Sequence, residues 1–569
     1  MKAAGVLWKL SDTLSAMMLH ECSSSMLTTA GRGLISRHSI FFRSGRAHGH
    51  HSMIGVSGNR VKAVELRGSE WARTAGIRSL SGKFRCCVTA SGSDFHLSAS
   101  RGNMKWSEME SENETLRKSP SSCKVAVIGA GAAGLVAARE LIREGHDVIL
   151  FEQTESVGGV WVYDPEIEDD DLLGIRKARK RVHSSMYASL RTNLPREIMG
   201  YTDFPFLPKE GRDGRRFPGH AEVAAYLEDF AEFYGILNYV QFCTVVEYVG
   251  VCKKGNKISW NVRTRRRDET EGGKEEVFDA VVVCNGHYSE PKLAEVPGIS
   301  KWPGVQLHSH NYREPGSFTD KIVVVIGNAA SGEDISREIA RVAKEVHISG
   351  RTWSSNVDFS EPIGDHGNIW RHTMIECTCE DGTVKFKSGG SVSADIIMHC
   401  TGYFYYFPFL DTQGEVGVDD NCVGPLYQHV FPPSLAPSIG FVGLPWKVVP
   451  FQLCELQSRW IAMALSGKIS LPSPQEMMNL VQDFYAKLEA SGKTKRLAHN
   501  LATSQYEYDN WLSDQTGSAP VETWRIKIYE ATSRNKRHNP ETYRDVWPDE
   551  DLHYQAFALL EQIDLSARL

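Results

Sequence analysis

The sequence predicts an α/β protein with two dinucleotide-binding, Rossmann-like domains. A strand, a glycine-rich turn, a helix and a second strand follow one another at residues 124–152, and the same order recurs at residues 321–353. A third observation is the fully apolar strand predicted at residues 280–284. Strands of this kind belong to parallel sheets that are covered on both faces, so the first domain is expected to continue beyond residue 280.

The first unit begins with a predicted strand that leads into the turn G-x-G-x-x-G. Gly129 permits the tight turn, Gly131 lets a diphosphate approach the backbone, and Gly134 lets the helix lie close to the strand. The helix is predicted over residues 132–144. A diphosphate at this turn would therefore meet free backbone N–H groups and the positive end of a helix dipole.

A second strand is predicted over residues 147–151, and Glu152 stands at its end. A carboxylate there accepts hydrogen bonds from a ribose diol and repels a 2′-phosphate, which predicts FAD or NAD rather than NADP. Gly159 and Trp161 follow in a turn that would let the backbone run close to a cofactor, with an ordinary turn as the alternative. The candidate cofactor-binding residues of this unit are Gly129, Ala130, Gly131, Ala132, Ala133, Gly134, Glu152, Gly159 and Trp161.

The second unit repeats this order, with strands predicted at residues 322–326 and 346–349 and a helix at residues 331–342. Its turn is G-x-A-x-x-G, and the alanine holds a diphosphate slightly further out without excluding it. Arg351 occupies the ribose position, where it predicts a 2′-phosphate and hence NADPH. The alternative is a surface arginine beside a degenerate repeat. The candidate residues are Gly327, Asn328, Ala329, Ala330, Ser331, Gly332 and Arg351.

Composition excludes several classes of protein. A length of 569 residues allows two or three domains, and a net charge of −6 argues against a general nucleic-acid binder. The sequence contains no run of about twenty apolar residues, so no transmembrane helix is predicted. The 12 cysteines contain no C-x-x-C pair, so neither a redox disulfide nor a metal site is predicted. With NADPH as hydride donor and FAD as acceptor, dioxygen is the plausible next acceptor.

Residues 1–120 differ from the rest of the chain. They are rich in serine and arginine, poor in acidic residues and without a sustained period, which predicts a disordered extension. One interpretation is an organelle transit peptide. The other is upstream sequence that does not belong to the protein, with Met104 or Met109 as the start. We expect a cytoplasmic protein, or a chloroplast or mitochondrial one if the transit peptide is real.

The region between the two units contains less specific signals. Residues 164–181, acidic and then basic, predict a solvated loop, and a helix is predicted over residues 220–235 with Phe233 on its apolar side. Asn193 lies in a proline-flanked segment. Its amide could offer a donor and an acceptor to a ring cofactor, although such an asparagine is more often a turn residue.

A stretch between the two units resembles the fingerprint of flavin-containing monooxygenases, F-x-G-x-x-x-H-x-x-x-Y. Gly304, His308 and Tyr312 match it, and Trp302 takes the place of the first Phe. Related Baeyer–Villiger enzymes end the motif in Trp-Asp, whereas here Arg313 follows the tyrosine, which favours the flavin-containing branch. Within that family the chain is similar to the plant S-oxygenating type of specialised metabolism named for glucosinolates, through HSSMYASLRTNLPREIMGY, IMHCTGYFYYFPFL and GLPWKVVPFQLCELQSRW.

The resemblance implies a fold in which the NADPH domain is inserted into the FAD domain. The segment CTGY, residues 400–403, would mark the return of the chain to the FAD domain. The domains expected on this basis are 121–315 (FAD-binding, first part), 316–399 (NADPH-binding), 400–535 (FAD-binding, second part) and 536–569 (a C-terminal tail).

The resemblance also implies a function. NADPH would reduce FAD, O2 would add to form a C4a-hydroperoxyflavin, and a small thioether would take the distal oxygen and become a sulfoxide. Asn193 matches the family's active-site asparagine near the flavin C4a and N5, which makes it the catalytic candidate. His308 and Tyr312 are expected to support the domain junction. Amine N-oxygenation, an uncoupled NADPH oxidase and a catalytically idle redox sensor remain alternatives, and substrate identity and oligomeric state stay open.

Overall fold

A computed structural model describes residues 52–57, 60–65, 122–176, 181–255, 257–269, 272–353 and 358–568. The chain divides into two compact units, Met1–Asn103 and Met104–Leu569. In the first unit, Ser52–Ser57 and Arg60–Glu65 form an antiparallel pair of strands, in a segment for which the sequence predicts no regular structure. The remainder of the expected disordered extension lies outside the described residues.

The described ranges of the two units contain both helices and strands. The helices are α1 (Ala132–Arg143), α2 (Arg196–Met199), α3 (His220–Phe233), α4 (Ala330–Ala340), α5 (Pro450–Leu465), α6 (Pro474–Ala490), α7 (Gln505–Thr516), α8 (Thr523–His538) and α9 (Glu550–Arg568). The strands are β1 (Ser52–Ser57), β2 (Arg60–Glu65), β3 (Lys124–Ile128), β4 (Asp147–Phe151), β5 (Val240–Gln241), β6 (Thr244–Lys254), β7 (Lys257–Arg266), β8 (Lys274–Phe278), β9 (Ala280–Val283), β10 (Val305–His308), β11 (Ile322–Ile326), β12 (Glu345–Ser349), β13 (Ile369–His372), β14 (Ile375–Thr378), β15 (Thr383–Phe386), β16 (Ser391–Ser393), β17 (Ile396–His399), β18 (Leu410–Asp411), β19 (Gly417–Asp419), β20 (Cys422–Gly424) and β21 (Ile439–Phe441).

The first nucleotide unit lies in a parallel sheet with the strand order β21-β9-β3-β4-β5. Alternate residues of β3 point to opposite faces. Val125 and Val127 belong to one hydrophobic core together with α1, whereas Ala126 and Ile128 belong to a second core. The second core also contains Trp260 of the mixed sheet β18-β6-β7-β8, in which only β18 and β6 pair in parallel. The apolar strand β9 is thus covered on both faces, as predicted.

The second nucleotide unit lies in another parallel sheet, with the order β10-β17-β11-β12-β13. Strand β10 contains the first part of the fingerprint and pairs with β17, where Val305 lies opposite Ile396 and His308 opposite His399. The second domain therefore includes β10, and the boundary predicted between residues 315 and 316 is too late. The sequence motif lies between the two glycine turns, and only the pairing shows which sheet it joins.

The chain enters and leaves the second domain through two adjacent segments. Pro291 and Tyr403 form an antiparallel bridge. The N–H of Lys292 donates to the Gly402 carbonyl at 2.9 Å, and the N–H of Phe404 donates to the Glu290 carbonyl at 2.8 Å. The CTGY segment follows directly after β17 and is one side of this connection. The predicted insertion of one domain into the other therefore has its entry and exit hydrogen-bonded together.

The C-terminal segment is not a tail, contrary to the sequence prediction. Ala556 and Leu560 of α9 are buried, and Ala556 packs in a small core with Ile198 and Ile528. Asp549, just before α9, accepts two hydrogen bonds from Arg216 at 2.7 and 2.9 Å. These contacts involve partners far away in the sequence, which local patterns do not reveal.

Two further sequence predictions need correction. The acidic half of the loop at residues 164–181 is not fully solvated, because Glu168 and Asp171 are buried. Their carboxylates accept the backbone N–H groups of Val182 at 3.1 Å and Arg176 at 2.6 Å. In α3, Phe233 is exposed although its helical position predicts burial. Residues 177–180 of the loop lie outside the described part.

Asp509 on α7 gives a pH-dependent prediction. It is buried, its Oδ1 lacks a hydrogen-bond partner, and burial raises its pKa to about 7. Because the unfolded pKa is about 3.9, this carboxyl lowers stability progressively as the pH rises from about 4 to about 7. We expect Asp509→Asn to raise the melting temperature at pH 8 by about 2 °C or more, with a smaller gain towards pH 4.

Differential scanning fluorimetry across this pH range measures the effect. Asp514→Asn is the matched control, because Asp514 is exposed on the same helix. An equal shift at every pH, or the same shift in the control variant, would contradict the assignment.

Candidate cofactor and active site

The first glycine turn brings α1 against the strand that precedes it. Gly129 has a φ of +97°, and a Cβ on it would lie 2.7 Å from the carbonyl oxygen of Cys284. A Cβ on Gly134 would lie 1.7 Å from the carbonyl oxygen of Gly129. Both positions therefore require glycine, for the reasons predicted from the sequence.

Gly131 has a different environment. Its backbone is extended, with φ −77° and ψ −173°, and a Cβ there would have Gly159 Cα at 3.5 Å as its nearest protein atom. Protein packing therefore does not demand glycine at this position. The first backbone hydrogen bond of α1 runs from Leu135 N–H to Gly131 O at 3.0 Å, so the amides of Ala132 and Ala133 precede the helical ladder. This arrangement fits a diphosphate at the helix N-terminus.

Glu152 closes the same loop from the end of β4. The carboxylate is buried, and its Oε2 accepts the backbone N–H of Ala130 at 2.8 Å. Its Oε1 accepts the backbone N–H and the hydroxyl of Thr154, both at 2.8 Å. Glu152 thus connects the glycine turn to the chain beyond β4, and a ribose diol would meet a carboxylate that is already oriented.

The second glycine pair lies against the first turn. The Gly158 N–H donates to the Ala130 carbonyl at 3.0 Å. Gly159 has a φ of +57°, and a Cβ on it would lie 2.9 Å from Gly131 Cα. Trp161 ends the short 3-10 turn that follows and packs against the first core. The predicted residues Gly159 and Trp161 therefore do lie beside the glycine turn.

The second glycine turn repeats the geometry of the first. We call each glycine turn, together with the start of the helix that follows it, a cradle. Gly327 has a φ of +113°, and its Cβ would lie 2.4 Å from the Cys400 carbonyl oxygen. A Cβ on Gly332 would lie 1.9 Å from the Gly327 carbonyl oxygen. Ala329 is extended like Gly131, at φ −91° and ψ −171°, which explains why alanine is tolerated there. Ala329 is exposed, as are its neighbours Ala330 and Ser331.

Arg351 lies just beyond the carboxyl end of β12 and is exposed. The turn nearby is connected to the cradle, because Asn328 Nδ2 donates to the Thr352 carbonyl at 2.7 Å. Burial lowers the pKa of Lys292, the charges of Arg496 and Arg351 lower it further, and those of Asp420 and Glu295 raise it. Both signs of charge therefore lie near Arg351, and its guanidinium is the group that suits a phosphate.

The loop that carries Asn193 connects the two domains. Tyr187 and Leu190 pack in the core of the second domain, whereas Leu194 packs in the core of the first. Asn193 lies between them and is exposed. The neighbouring Thr192 N–H donates to the Pro218 carbonyl at 2.9 Å, which fixes the backbone on one side of the asparagine.

Two fingerprint residues build the edge of the second sheet. Trp302 is buried, and its indole Nε1–H donates to the Gly382 carbonyl at 2.9 Å. A Cβ on Gly304 would lie 2.2 Å from the ring of Trp302 and 2.6 Å from the Asp395 carbonyl oxygen. Glycine is needed here because the tryptophan ring covers it.

The fingerprint histidine joins β10 to the CTGY segment. His308 Nδ1 accepts the His310 backbone N–H at 3.0 Å, and Nε2 lies 2.9 Å from the Gly402 carbonyl. Because Nδ1 accepts, the proton must be on Nε2 and is donated to Gly402. Burial lowers the pKa of His308 to about 3, so the ring is neutral. The side chain holds the domain junction together, as expected from the resemblance.

Arg313 explains the Tyr-Arg ending of the fingerprint. Its guanidinium is buried and donates to the backbone carbonyls of Asp164, Glu166 and Ser184 at 2.6, 2.9 and 3.0 Å. It also donates to the His310 carbonyl at 2.7 Å. One side chain thus connects the loop after the first cradle to the fingerprint.

Comparison with known proteins identifies the family. Residues 122–379 and 367–520 match the family described as Flavin-binding monooxygenase-like. The chain belongs to this family. It is accordingly an NADPH-dependent flavin monooxygenase with FAD as its flavin, as the sequence predicts.

The match to several relatives extends over almost the entire length of each relative. The chain is 54% identical to Flavin-containing monooxygenase FMO GS-OX-like 4 of Arabidopsis thaliana over 76% of this chain and 96% of that protein. S-allyl-L-cysteine S-oxygenase from Allium sativum has 52% identity and a TM-score of 0.74, covering 78% of this chain and 99% of the other. Tmm from Pelagibacter sp. has 25% identity and a TM-score of 0.62, with coverages of 74% and 93%. The fold and the recognition from sequence are confirmed.

The sequence analysis did not identify the residues that orient the candidate site residues or hold their loops in place. Thr154 orients Glu152, and Arg313 ties the loops together. Arg544, far away in the chain, donates to the Thr192 carbonyl at 3.0 Å, beside Asn193. Thr154 could have been suspected, because an acid followed by threonine two residues later often forms a local hydrogen bond. No sequence signal pointed to Arg544.

The described residues also bear on metal binding and on membrane insertion. Among the residues described, no cluster of three or more His, Cys, Asp or Glu side chains is arranged to hold a metal ion. None of the helices in the described ranges is both long and apolar enough to span a lipid bilayer.

Two glycine variants separate packing from cofactor binding. Gly134→Ala places a methyl against a backbone carbonyl, so we expect α1 to shift and FAD to be absent from the purified protein. Gly131→Ala has room within the protein, so we expect a folded enzyme whose Kd for FAD rises roughly tenfold to a hundredfold.

Flavin content and fluorescence titration of the apoprotein measure these effects, and circular dichroism reports folding. Full FAD affinity in a folded Gly131→Ala protein would show that no diphosphate lies against this backbone.

Proposed function

We propose that this monooxygenase transfers one atom of O2 to the sulfur of a small thioether. The proposal is carried by the similarity to S-allyl-L-cysteine S-oxygenase, which extends over 99% of that chain at 52% identity. The overall reaction balances as thioether, O2, NADPH and H⁺ going to sulfoxide, water and NADP⁺. The thioether sulfur is oxidised by two electrons, and NADPH supplies the other two electrons that O2 requires.

In this proposal the first cradle holds FAD. The amides at the start of α1 receive the diphosphate, Gly131 gives it access to the backbone, and Glu152 accepts the ribose hydroxyls. When bound, FAD accepts the hydride and activates dioxygen. The pre-existing bonds of Glu152 to Ala130 and Thr154 support this role, because they fix the carboxylate before the cofactor arrives.

The second cradle holds NADPH. The amides at the start of α4 take the diphosphate, and Arg351 pairs with the 2′-phosphate. The exposed guanidinium of Arg351, just beyond the carboxyl end of β12, supports this choice over NADH. The loop of Asn193 has its two ends packed in the two domain cores.

Asn193 is proposed as the residue that contacts the reacting part of the flavin. Its amide supplies a carbonyl acceptor and two N–H donors, and the described residues offer its side chain no hydrogen bond. A thioether sulfur is already nucleophilic and carries no proton, so its oxygenation requires no general base from the protein. The work of the site is positioning and exclusion of water.

A second candidate function is amine N-oxygenation, which uses the same cofactors. Product analysis distinguishes them. With FAD and NADPH, we expect a panel of methylthio compounds to give sulfoxides in amounts close to the NADPH consumed, and tertiary amines to give little N-oxide. Mass spectrometry of the products, with a peroxide assay, makes the measurement. Peroxide equal to the NADPH consumed, without oxygenated product, would refute the proposal in favour of an uncoupled oxidase.

Arg351 predicts the coenzyme preference. Arg351→Ala removes a charged hydrogen bond to the 2′-phosphate, so kcat/KM with NADPH should fall roughly tenfold to a hundredfold, while that with NADH stays nearly unchanged. Steady-state kinetics with both coenzymes test this.

Lys344→Ala is the matched control, because Lys344 is an exposed cation at the opposite end of β12. Equal losses with NADPH and NADH in the Arg351 variant would contradict recognition of the phosphate.

A further inference from the structure

The segment between α8 and α9, residues 539–549, is fixed by contacts with α8 and with the first domain. Asn535 Nδ2 donates to the Val546 carbonyl at 2.7 Å. Tyr543 is buried, and its ring packs edge-on against Phe217 with centroids 5.6 Å apart. This segment, which we call the C-terminal clamp, is therefore a defined structure.

Arg544 of the C-terminal clamp contacts both domains at once. Its Nε donates to the Thr192 carbonyl at 3.0 Å, and its Nη2 donates to the Arg191 carbonyl at 3.3 Å. Its Nη1 lies 2.7 Å from Oδ1 of Asp334 on α4, the helix of the second cradle. The side chain is only 17% exposed. One guanidinium thus binds the backbone directly before Asn193 and the helix that begins at the second phosphate site.

Neighbouring contacts reinforce each side of this connection. Asp545 Oδ1 pairs with Arg191 Nη1 at 2.8 Å, on the side of the loop. On the side of α4, Arg337 Nε pairs with Glu541 Oε1 at 2.7 Å, and the Tyr187 hydroxyl donates to Asp334. Burial would raise the pKa of Asp334, but its interactions with Arg544 and Tyr187 lower the pKa below its ordinary value. The carboxylate is therefore ionised in the native protein.

We propose that Arg544 is a positioning residue that sets the backbone of the Asn193 loop relative to the second nucleotide-binding helix. The proposal rests on the proposed function for its catalytic consequence, although the mechanical link can be tested without turnover. A planar fork that reaches two carbonyls and a carboxylate fixes direction as well as distance. A lysine could pair with Asp334 but could not hold both carbonyls, so Arg544→Lys should restore only part of the effect.

Hydrogen–deuterium exchange tests the link directly. In Arg544→Ala we expect the amides within residues 189–195, apart from Pro195, which has none, to exchange at least roughly tenfold faster than in the wild-type protein, because this backbone loses charged hydrogen bonds. Asp334→Asn removes the charge from the other partner and should change the same peptide less. The double variant should exchange no faster than Arg544→Ala, since both substitutions break one connection.

The coupling of NADPH use to oxygenation is the second readout. In Arg544→Ala we expect sulfoxide formed per NADPH to fall about threefold or more, with peroxide rising in compensation and FAD content unchanged. Arg544→Lys should recover part of this ratio. If the wild-type protein forms no sulfoxide, the proposed function fails. The exchange experiment still decides whether Arg544 holds the backbone of the Asn193 loop.

Arg534→Ala is the matched control, because Arg534 lies on α8, exposed and paired only loosely with Glu530 at 3.7 Å. The inference is overturned if residues 189–195 exchange as in the wild-type protein in the Arg544 variant. It is also overturned if the control variant gives the same change. An equal increase in the exchange rates of α7 and of the sheets would likewise overturn it, because it would indicate general destabilisation. Should Arg544→Ala not fold, Arg544→Lys decides, because a lysine cannot hold both carbonyls: residues 189–195 should exchange faster than in the wild-type protein, and unchanged exchange overturns the inference.

Discussion

Both nucleotide units depend on one steric constraint, the absence of a side chain where a helix begins against the preceding turn. A Cβ at Gly134 or Gly332 would lie within 1.9 Å of a carbonyl oxygen in the same unit. This contact sets where the N-terminus of each helix lies relative to its sheet, and hence where a diphosphate can be bound. Glu152 and Arg351, at the ends of the neighbouring strands, are then fixed relative to that point. The two units differ at the ends of these strands, where the first carries a carboxylate and the second a guanidinium.

Local elements were predictable from the sequence because their signals are local. The strands at residues 147–151 and 322–326 have the predicted bounds, since a short apolar run bounded by polar residues or glycine determines them within a few residues. The domain boundary was not predictable, because β10 joins its sheet by pairing with β17, almost ninety residues later. The C-terminal clamp depends on a bond from Arg544 to Thr192 over a separation of 352 residues, which no sequence periodicity reports. The glycine turns of the candidate site were therefore predictable from the sequence, whereas Arg544, which supports the site from a distant part of the chain, was not.

The family fingerprint is a structural motif in this chain. Gly304 lies under a tryptophan ring, His308 donates to a carbonyl of the returning chain, and Arg313 gathers carbonyls from a distant loop. Gly304 shapes the edge of the second sheet, His308 and Arg313 join segments that are distant in the sequence, and none of the three is among the residues proposed to contact the reacting atoms. A pattern of this kind reports how the chain is assembled. It carries no information on the substrate, which depends on side chains at the pocket.

The paired entry and exit of the second domain have a consequence for how such enzymes diversify. The segments at Pro291 and Tyr403 lie side by side, so the inserted domain has its two ends at one place. A unit attached in this way can be exchanged for a homologous one by recombination at two neighbouring points, with little disturbance to the host fold. Coenzyme choice can then change by replacement of a whole module, while the flavin-binding body is inherited intact.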